Sequence, residues 1–185
     1  MNKLIIPSAG KATRFYEISK SFPKALLPYR NKPILLHIIE PYLKKFDQIS
    51  VVIKDYYSQY SEIVESYKIS NVEIIEVDES YIQGPATSIF CGLSGEESEI
   101  TILLSDAIYD LDITKIKKDS ISAMEVNDYT RWCMVDENLN FFDKPKTKPK
   151  TNLAVSGIYK FSDPKLFFNI AENYIEGTLE ETQIS

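Results

Sequence analysis

Apolar residues fall along this chain first into short unbroken runs and then, between the runs, into helical spacing. Positions 4–7, 49–53, 72–77 and 100–104 are aliphatic or β-branched with few polar interruptions, the pattern of strands buried on both faces of a sheet. Residues 33–46, 57–67 and 85–93 place apolar side chains three and four apart and predict amphipathic helices. Pro33 suits the first turn of its helix, where a missing N–H costs nothing. Pro41 should kink or split that helix, since an interior proline removes a hydrogen bond. Four strands separated by helices imply right-handed crossovers and a largely parallel sheet covered on both faces.

After about residue 110 the rhythm changes. Residues 120–126, 132–135, 139–142 and 154–161 read as strands with no helices between them, so an antiparallel or mixed extension is expected. Asp136-Glu137-Asn138 forms a plausible hairpin turn, and residues 144–150 are a polar, proline-punctuated loop carrying four lysines. Asp163 and Pro164 supply the N-cap and first residue of a helix through about Tyr174. The expected fold class is α/β: a three-layer, Rossmann-like mixed and mostly parallel sheet with helices on both faces. No repeat or linker divides the 185 residues, which predicts a single domain over 1–185.

Composition narrows the function. With 44% hydrophobic residues and only 6 Gly and 9 Pro, the chain is neither disordered nor collagen-like. No apolar run approaches the roughly 18 residues of a bilayer span, and the N-terminus lacks the features of a secretory signal. Cys91 and Cys133 stand in no metal or redox spacing, so reduced thiols and a cytoplasmic location are expected. The formal charge of −6 is unevenly spread. Residues 1–32 carry seven basic side chains against the single acid Glu17, a balance of +6, which leaves −12 for the remainder. Such an acidic body disfavours nucleic acid, while the basic N-terminal lobe suits a small anion such as a nucleotide.

In an open α/β sheet, ligands bind beyond the carboxyl ends of the strands. That rule singles out the turn Ser8-Ala9-Gly10-Lys11-Ala12-Thr13-Arg14, whose small residues let backbone N–H groups approach a polyphosphate that Lys11 and Arg14 would neutralise. It also singles out Asp106, at the end of the apolar run over 101–105, as a hard oxygen ligand for Mg²⁺. A turn or helix-cap role is the competing reading of Asp106. The spacing of the first turn fits neither the Walker A pattern nor the Rossmann glycine fingerprint. His37 and Trp132 are rare residue types here, and packing is the better reading of both. Asp110-Leu111-Asp112 has the D-x-D spacing of glycosyltransferases but lies away from the strand end.

These residues carry a resemblance. The run Ile5-Ile-Pro-Ser-Ala-Gly-Lys-Ala-Thr-Arg-Phe15, then Phe22-Pro-Lys-Ala-Leu-Leu-Pro28 and Lys32-Pro-Ile-Leu35, resembles the signature of the sugar-1-phosphate nucleotidyltransferases, which have a GT-A-like fold. Further pieces follow in family order. Gln83-Gly-Pro-Ala-Thr87 resembles the segment that contacts the nucleobase, Leu103-Leu-Ser-Asp106 the strand end bearing the metal carboxylate, Asp143-Lys-Pro145 the sugar-phosphate lysine motif, and Ala154-Val-Ser-Gly-Ile-Tyr159 the acceptor-binding strand.

The resemblance implies nucleotidyl transfer from a nucleoside triphosphate to a sugar 1-phosphate, or to a similar phosphate such as phosphocholine. The products would be pyrophosphate and an activated sugar for polysaccharide or glycoconjugate synthesis. It implies catalytic roles for Arg14 and Lys24, nucleotide binding by residues 8–13 with Gln83 and Gly84, acceptor binding by Asp143, Lys144 and Gly157, and Mg²⁺ on Asp106. Two positions depart from the family pattern. Ala12 stands where glycine is common, and no Gly-x-Trp-x-Asp-like segment with a second metal aspartate follows Gly177, which leaves Glu180 and Glu181 as candidate substitutes. A domain lacking the usual C-terminal elements would expose apolar surface and favour a homo-oligomer. It also motivates an alternative: a nucleotide-binding but catalytically weak or regulatory module of a longer or two-chain enzyme.

Overall fold

The computed structural model describes residues 1–10, 22–78 and 84–177. Its centre is an eight-stranded sheet. Strands β1 (Asn2–Pro7), β4 (Gln48–Ile53), β5 (Val72–Glu76) and β6 (Glu99–Leu103) lie in the order β5-β4-β1-β6 and run parallel. Strand β10 (Leu153–Phe161) pairs antiparallel with β6 through its second half, with β8 (Cys133–Val135) at Ala154, and with β7 (Ser120–Glu125), which faces β8 across Ala154 and β6 across Tyr159 and Lys160. The outermost strand is β9 (Phe141–Asp143), antiparallel to β8. A separate two-residue ladder joins β2 (Pro28–Tyr29) to β3 (Lys32–Pro33).

The apolar runs of β1, β4 and β6 form strands because both sides of the sheet are covered there, whereas β5, expected to be buried on both faces, is an edge strand with Glu73 and Glu76 exposed. Leu4 and Ile6 of β1 and Ile49, Val51 and Ile53 of β4 point into one apolar layer with Leu35, Leu36, Ile38 and Ile39 of helix α1 (Ile34–Ile39) and Tyr60 of α2 (Tyr57–Ser66). Ile5, Val52, Ile100 and Ile102 point the other way, toward Ile89 of α3 (Pro85–Cys91) and Phe167 of α4 (Pro164–Gly177). Phe90 and Phe168 stack at 4.6 Å between α3 and α4. Three layers result, as the alternation of side chains about a strand requires. Each fully buried Ile or Leu contributes about 1.5–3 kcal/mol.

Helix ends follow local chemistry. The helix expected over 33–46 is split: α1 ends at Ile39 and a 3₁₀ turn over Glu40–Tyr42 contains Pro41. Asp163 caps α4 by accepting from the Leu166 amide at 2.9 Å. The hairpin between β8 and β9 turns on Asp136, whose Oδ1 accepts from the amides of Asn138 and Asn140, both at 2.9 Å. Leu139 sits inside that turn at φ 61° and is exposed, so β9 starts at Phe141 rather than at 139. Trp132, expected to be packed, is 37% exposed at the start of β8. His37 does pack: it stands edge-on to Tyr29 at 5.2 Å, and its Nε2 donates to the Tyr29 carbonyl at 2.7 Å.

The basic N-terminal lobe is less available than its charge suggests. Lys3, 1% exposed, lies 3.4 Å from Glu97, equally buried, whose carboxylate also accepts from the Ser94 amide and hydroxyl and the Gly95 amide. Lys32 pairs with Glu40. Among the described residues, Lys3 and Lys32 therefore serve carboxylates within the fold. Among the described residues no helix is long and apolar enough to cross a membrane.

Candidate active site

The chain leaves β1 toward β4 on one side and returns to β6 on the other, so the direction of winding reverses between β1 and β6. Such a reversal opens a crevice beyond the two carboxyl ends. Here the crevice is bounded by Ser8, Ala9 and Gly10 after β1, and by Leu104, Ser105 and Asp106 after β6. The Ser105 hydroxyl donates to the Pro7 carbonyl at 2.9 Å and ties the two strand ends together. Ser8 is fixed on its other flank, its amide donating to the Val52 carbonyl at 2.6 Å and its hydroxyl meeting the Tyr60 hydroxyl at 3.2 Å. A side chain at Gly10 would meet nothing within 4 Å, so packing among the described residues does not dictate the glycine.

Lys24 reaches this crevice because of its neighbours. It begins a 3₁₀ turn over Lys24–Leu26 in which Ala25 and Leu26 are buried in the layer of α1. With the turn anchored, its ammonium lies 3.8 Å from Asp106 Oδ2, the two side chains being 28% and 58% exposed. A lysine and an aspartate distant in sequence thus meet at the switch point, partly open to solvent.

The three positions expected to bind an acceptor divide. Gly157 lies in β10 beside the end of β6, its carbonyl accepting from the Leu104 amide at 3.0 Å. Its φ of 92° suits only glycine, and a Cβ there would stand 2.9 Å from Leu104 Cδ1 and 3.0 Å from the Tyr109 hydroxyl. Asp143 and Lys144 lie on the outer hairpin. The Lys144 amide donates to the Trp132 carbonyl at 3.0 Å, and its ammonium pairs with Asp143 at 3.4 Å rather than with Asp106. Gly84 precedes α3 in extended backbone, and its carbonyl accepts from the Ser88 amide and hydroxyl, each at 3.1 Å. Lys11, Ala12, Thr13, Arg14, Gln83, Glu180 and Glu181 lie outside the described residues.

Residues to which the sequence assigned no role complete the surroundings. Ser105 depends on strand order for its partner. Tyr109 follows Asp106 by three residues, and its hydroxyl donates to the Ser156 carbonyl. Burial, then the negative charge of Asp106, pushes the Tyr109 phenol up to about 12, so it remains a proton donor. Asp112, of the D-x-D spacing, caps the 3₁₀ turn Ile113–Lys115 and pairs with Lys45 at 2.9 Å, a structural position. Among the described residues no three His, Cys, Asp or Glu side chains cluster to hold a metal. The single carboxylate of Asp106 still fits Mg²⁺, which is commonly held by one or two carboxylates plus substrate phosphates.

A model of the nucleotidyl transferase family matches residues 3–185. The chain belongs to that family. It is 30% identical over 172 residues to the bifunctional protein GlmU of Methanococcus aeolicus, an alignment covering 88% of this chain and 40% of that protein. To a UTP–glucose-1-phosphate uridylyltransferase of Staphylococcus epidermidis it is 27% identical, over all of this chain and 79% of that one. The chain thus spans two fifths of the length of such GlmU relatives. Among solved structures, apo-UDP-glucose pyrophosphorylase superposes with a TM-score of 0.78 at 20% identity, covering 99% of this chain and 84% of that one. The last likeness concerns the fold: the mixed, mostly parallel sheet expected from the apolar runs, of the GT-A-like kind that the family resemblance implies.

Proposed function

We propose that this member of the nucleotidyl transferase family transfers a nucleotidyl group from a nucleoside triphosphate to a sugar 1-phosphate or a similar phosphate. The observation that carries the reading is the meeting of Lys24 and Asp106 at the switch point of the sheet. An oxygen of the acceptor phosphate attacks the α-phosphorus, a new P–O bond forms, and the α–β P–O bond breaks with its electron pair leaving on pyrophosphate. This displacement calls for positioning and charge neutralisation rather than covalent catalysis. Lys24 neutralises phosphate charge in the crevice, with Arg14 as its partner. Residues 8–13 carry the triphosphate, Gln83 and Gly84 the base, and Asp143, Lys144 and Gly157 the acceptor. Asp106 would hold Mg²⁺, which when bound supplies charge neutralisation at the phosphate oxygens.

The named activities of the relatives point to UTP and glucose 1-phosphate as first substrates to try. The test is pyrophosphate release by the purified chain with Mg²⁺, over the common triphosphates and a panel of sugar phosphates and phosphocholine. The expected result is release at least 100-fold above an Asp106→Asn variant for one pair. Failure of every pair overturns the reading, and nucleotide binding by calorimetry in that case would mark the alternative, a binding or regulatory module.

A further inference from the structure

The loop after β6 is held at two places that the chemistry above does not use. At its far end the Tyr42 hydroxyl donates to the Leu111 carbonyl at 3.1 Å, and Lys45 grips Asp112. In its middle, Tyr109 reaches across to β10 and donates to the Ser156 carbonyl. That contact falls where the pairing of β10 with β7 shifts register, between Val155 and Tyr159. From the other side Ser122 of β7 meets the Ser156 hydroxyl and bonds both the amide and the carbonyl of Ile158 at 3.2 Å. A bulge leaves its strand partly unpaired and re-aims its side chains. This one is clamped by hydroxyls, and one clamp comes from the same short loop that presents Asp106.

We propose that Tyr109 is a positioning residue that sets the spacing between the Asp106 loop and the acceptor strand β10. The inference rests on the proposed reaction, in which those two segments carry the metal carboxylate and the acceptor. Gly157 sharpens it. The side chain that glycine lacks would occupy the space beside the Tyr109 hydroxyl, so the tyrosine is drawn directly against the bulge. In-line displacement tolerates little error, and a misplacement of about 1 Å costs on the order of 10²-fold in rate. A phenol that fixes the Ser156 carbonyl therefore fixes where an acceptor phosphate lies relative to Asp106.

Tyr109→Phe keeps the ring and removes only the donor. Steady-state kinetics would use UTP and glucose 1-phosphate with MgCl₂, or the best pair from the panel above, varying each substrate separately. Loss of the clamp should raise the acceptor KM about tenfold and leave the triphosphate KM within twofold. Amide exchange at Leu104 and Ile158 should quicken while that of β1 and β4 is unchanged. An unchanged acceptor KM in an active parent overturns the inference alone, as do equal losses for both substrates with a lowered melting midpoint, which mark a purely structural role. A parent that turns over no pair overturns the functional reading, and this inference falls with it.

Discussion

In β1 and β4 every residue after the first is buried, whereas all three residues of β9 and the last three of β7 are exposed. The parallel side of the sheet is held by apolar layers on both faces. The antiparallel side beyond β10 is held in larger part by hydroxyls and carboxylates: Ser122 on the bulge, Asp128 on the Thr130 amide, Asp136 on its hairpin, and Thr151 on the Val135 carbonyl. The difference separates two tasks. A rigid, dry scaffold positions the crevice at β1 and β6, and a more polar, solvent-facing extension carries the segments assigned to the acceptor. Acceptor choice can then change on the extension without disturbing the scaffold.

The largest expected effect strikes the scaffold. Lys3→Met leaves the Glu97 carboxylate buried without its cation and should cost about 3–5 kcal/mol in urea unfolding. A loss under 1 kcal/mol would show that the Ser94 and Gly95 donors suffice. Next, Leu36→Ala should cost about 2–5 kcal/mol, while Phe142→Ala on β9 should cost under about 1 kcal/mol, since surface changes act weakly. Equal losses would erase the contrast between the two sides. Lys144→Ala, on the extension, should raise the acceptor KM about tenfold and leave the unfolding midpoint unchanged.

The smallest effect is on acid stability. The Lys45 ammonium and the Thr114 hydroxyl hold the Asp112 carboxyl down to about 2. Burial alone would raise the Glu97 carboxyl, but its bonds to Ser94 and the charge of Lys3 together hold it below the usual range. Both carboxyls are depressed in the folded state, so their stabilisation is present above their ordinary values near 4 and is lost as pH falls through the depressed ones. The urea midpoint should be flat from pH 7 to 5 and decline below pH 4. A midpoint that rises on acidification would reverse the sign of this account.

Much of the scaffold is legible in the sequence, because β1, β4 and β6, covered on both faces, are largely apolar, although they also bury Lys3, Ser50 and Thr101, and the edge strand β5 leaves Glu73 and Glu76 exposed. The four parallel strands fall within one or two residues of their apolar runs, and Pro41 splits its helix where a missing N–H requires it. The extension is harder to read. Leu139 is apolar yet occupies a turn, and Trp132 is aromatic yet exposed, because on an edge hairpin hydrophobicity no longer reports burial. Charge misleads for a related reason: Lys3 counts toward a basic lobe but serves Glu97. At the site, Asp106 is marked by its place after an apolar run and Lys24 by motif resemblance, while their contact, the Ser105 link to Pro7 and the Tyr109 clamp depend on strand order, which local pattern does not carry.

The pair at the switch point offers the most direct test. A partly exposed ion pair contributes only about 0–1 kcal/mol to stability, so Lys24→Met, Asp106→Asn and the double variant should all unfold near the parent's midpoint. Pyrophosphate release should nevertheless fall at least 100-fold in each single variant and little further in the double, because groups acting on the same transition state lose their effects non-additively. Single variants that keep the parent rate within twofold would contradict the placement of the reaction at this crevice.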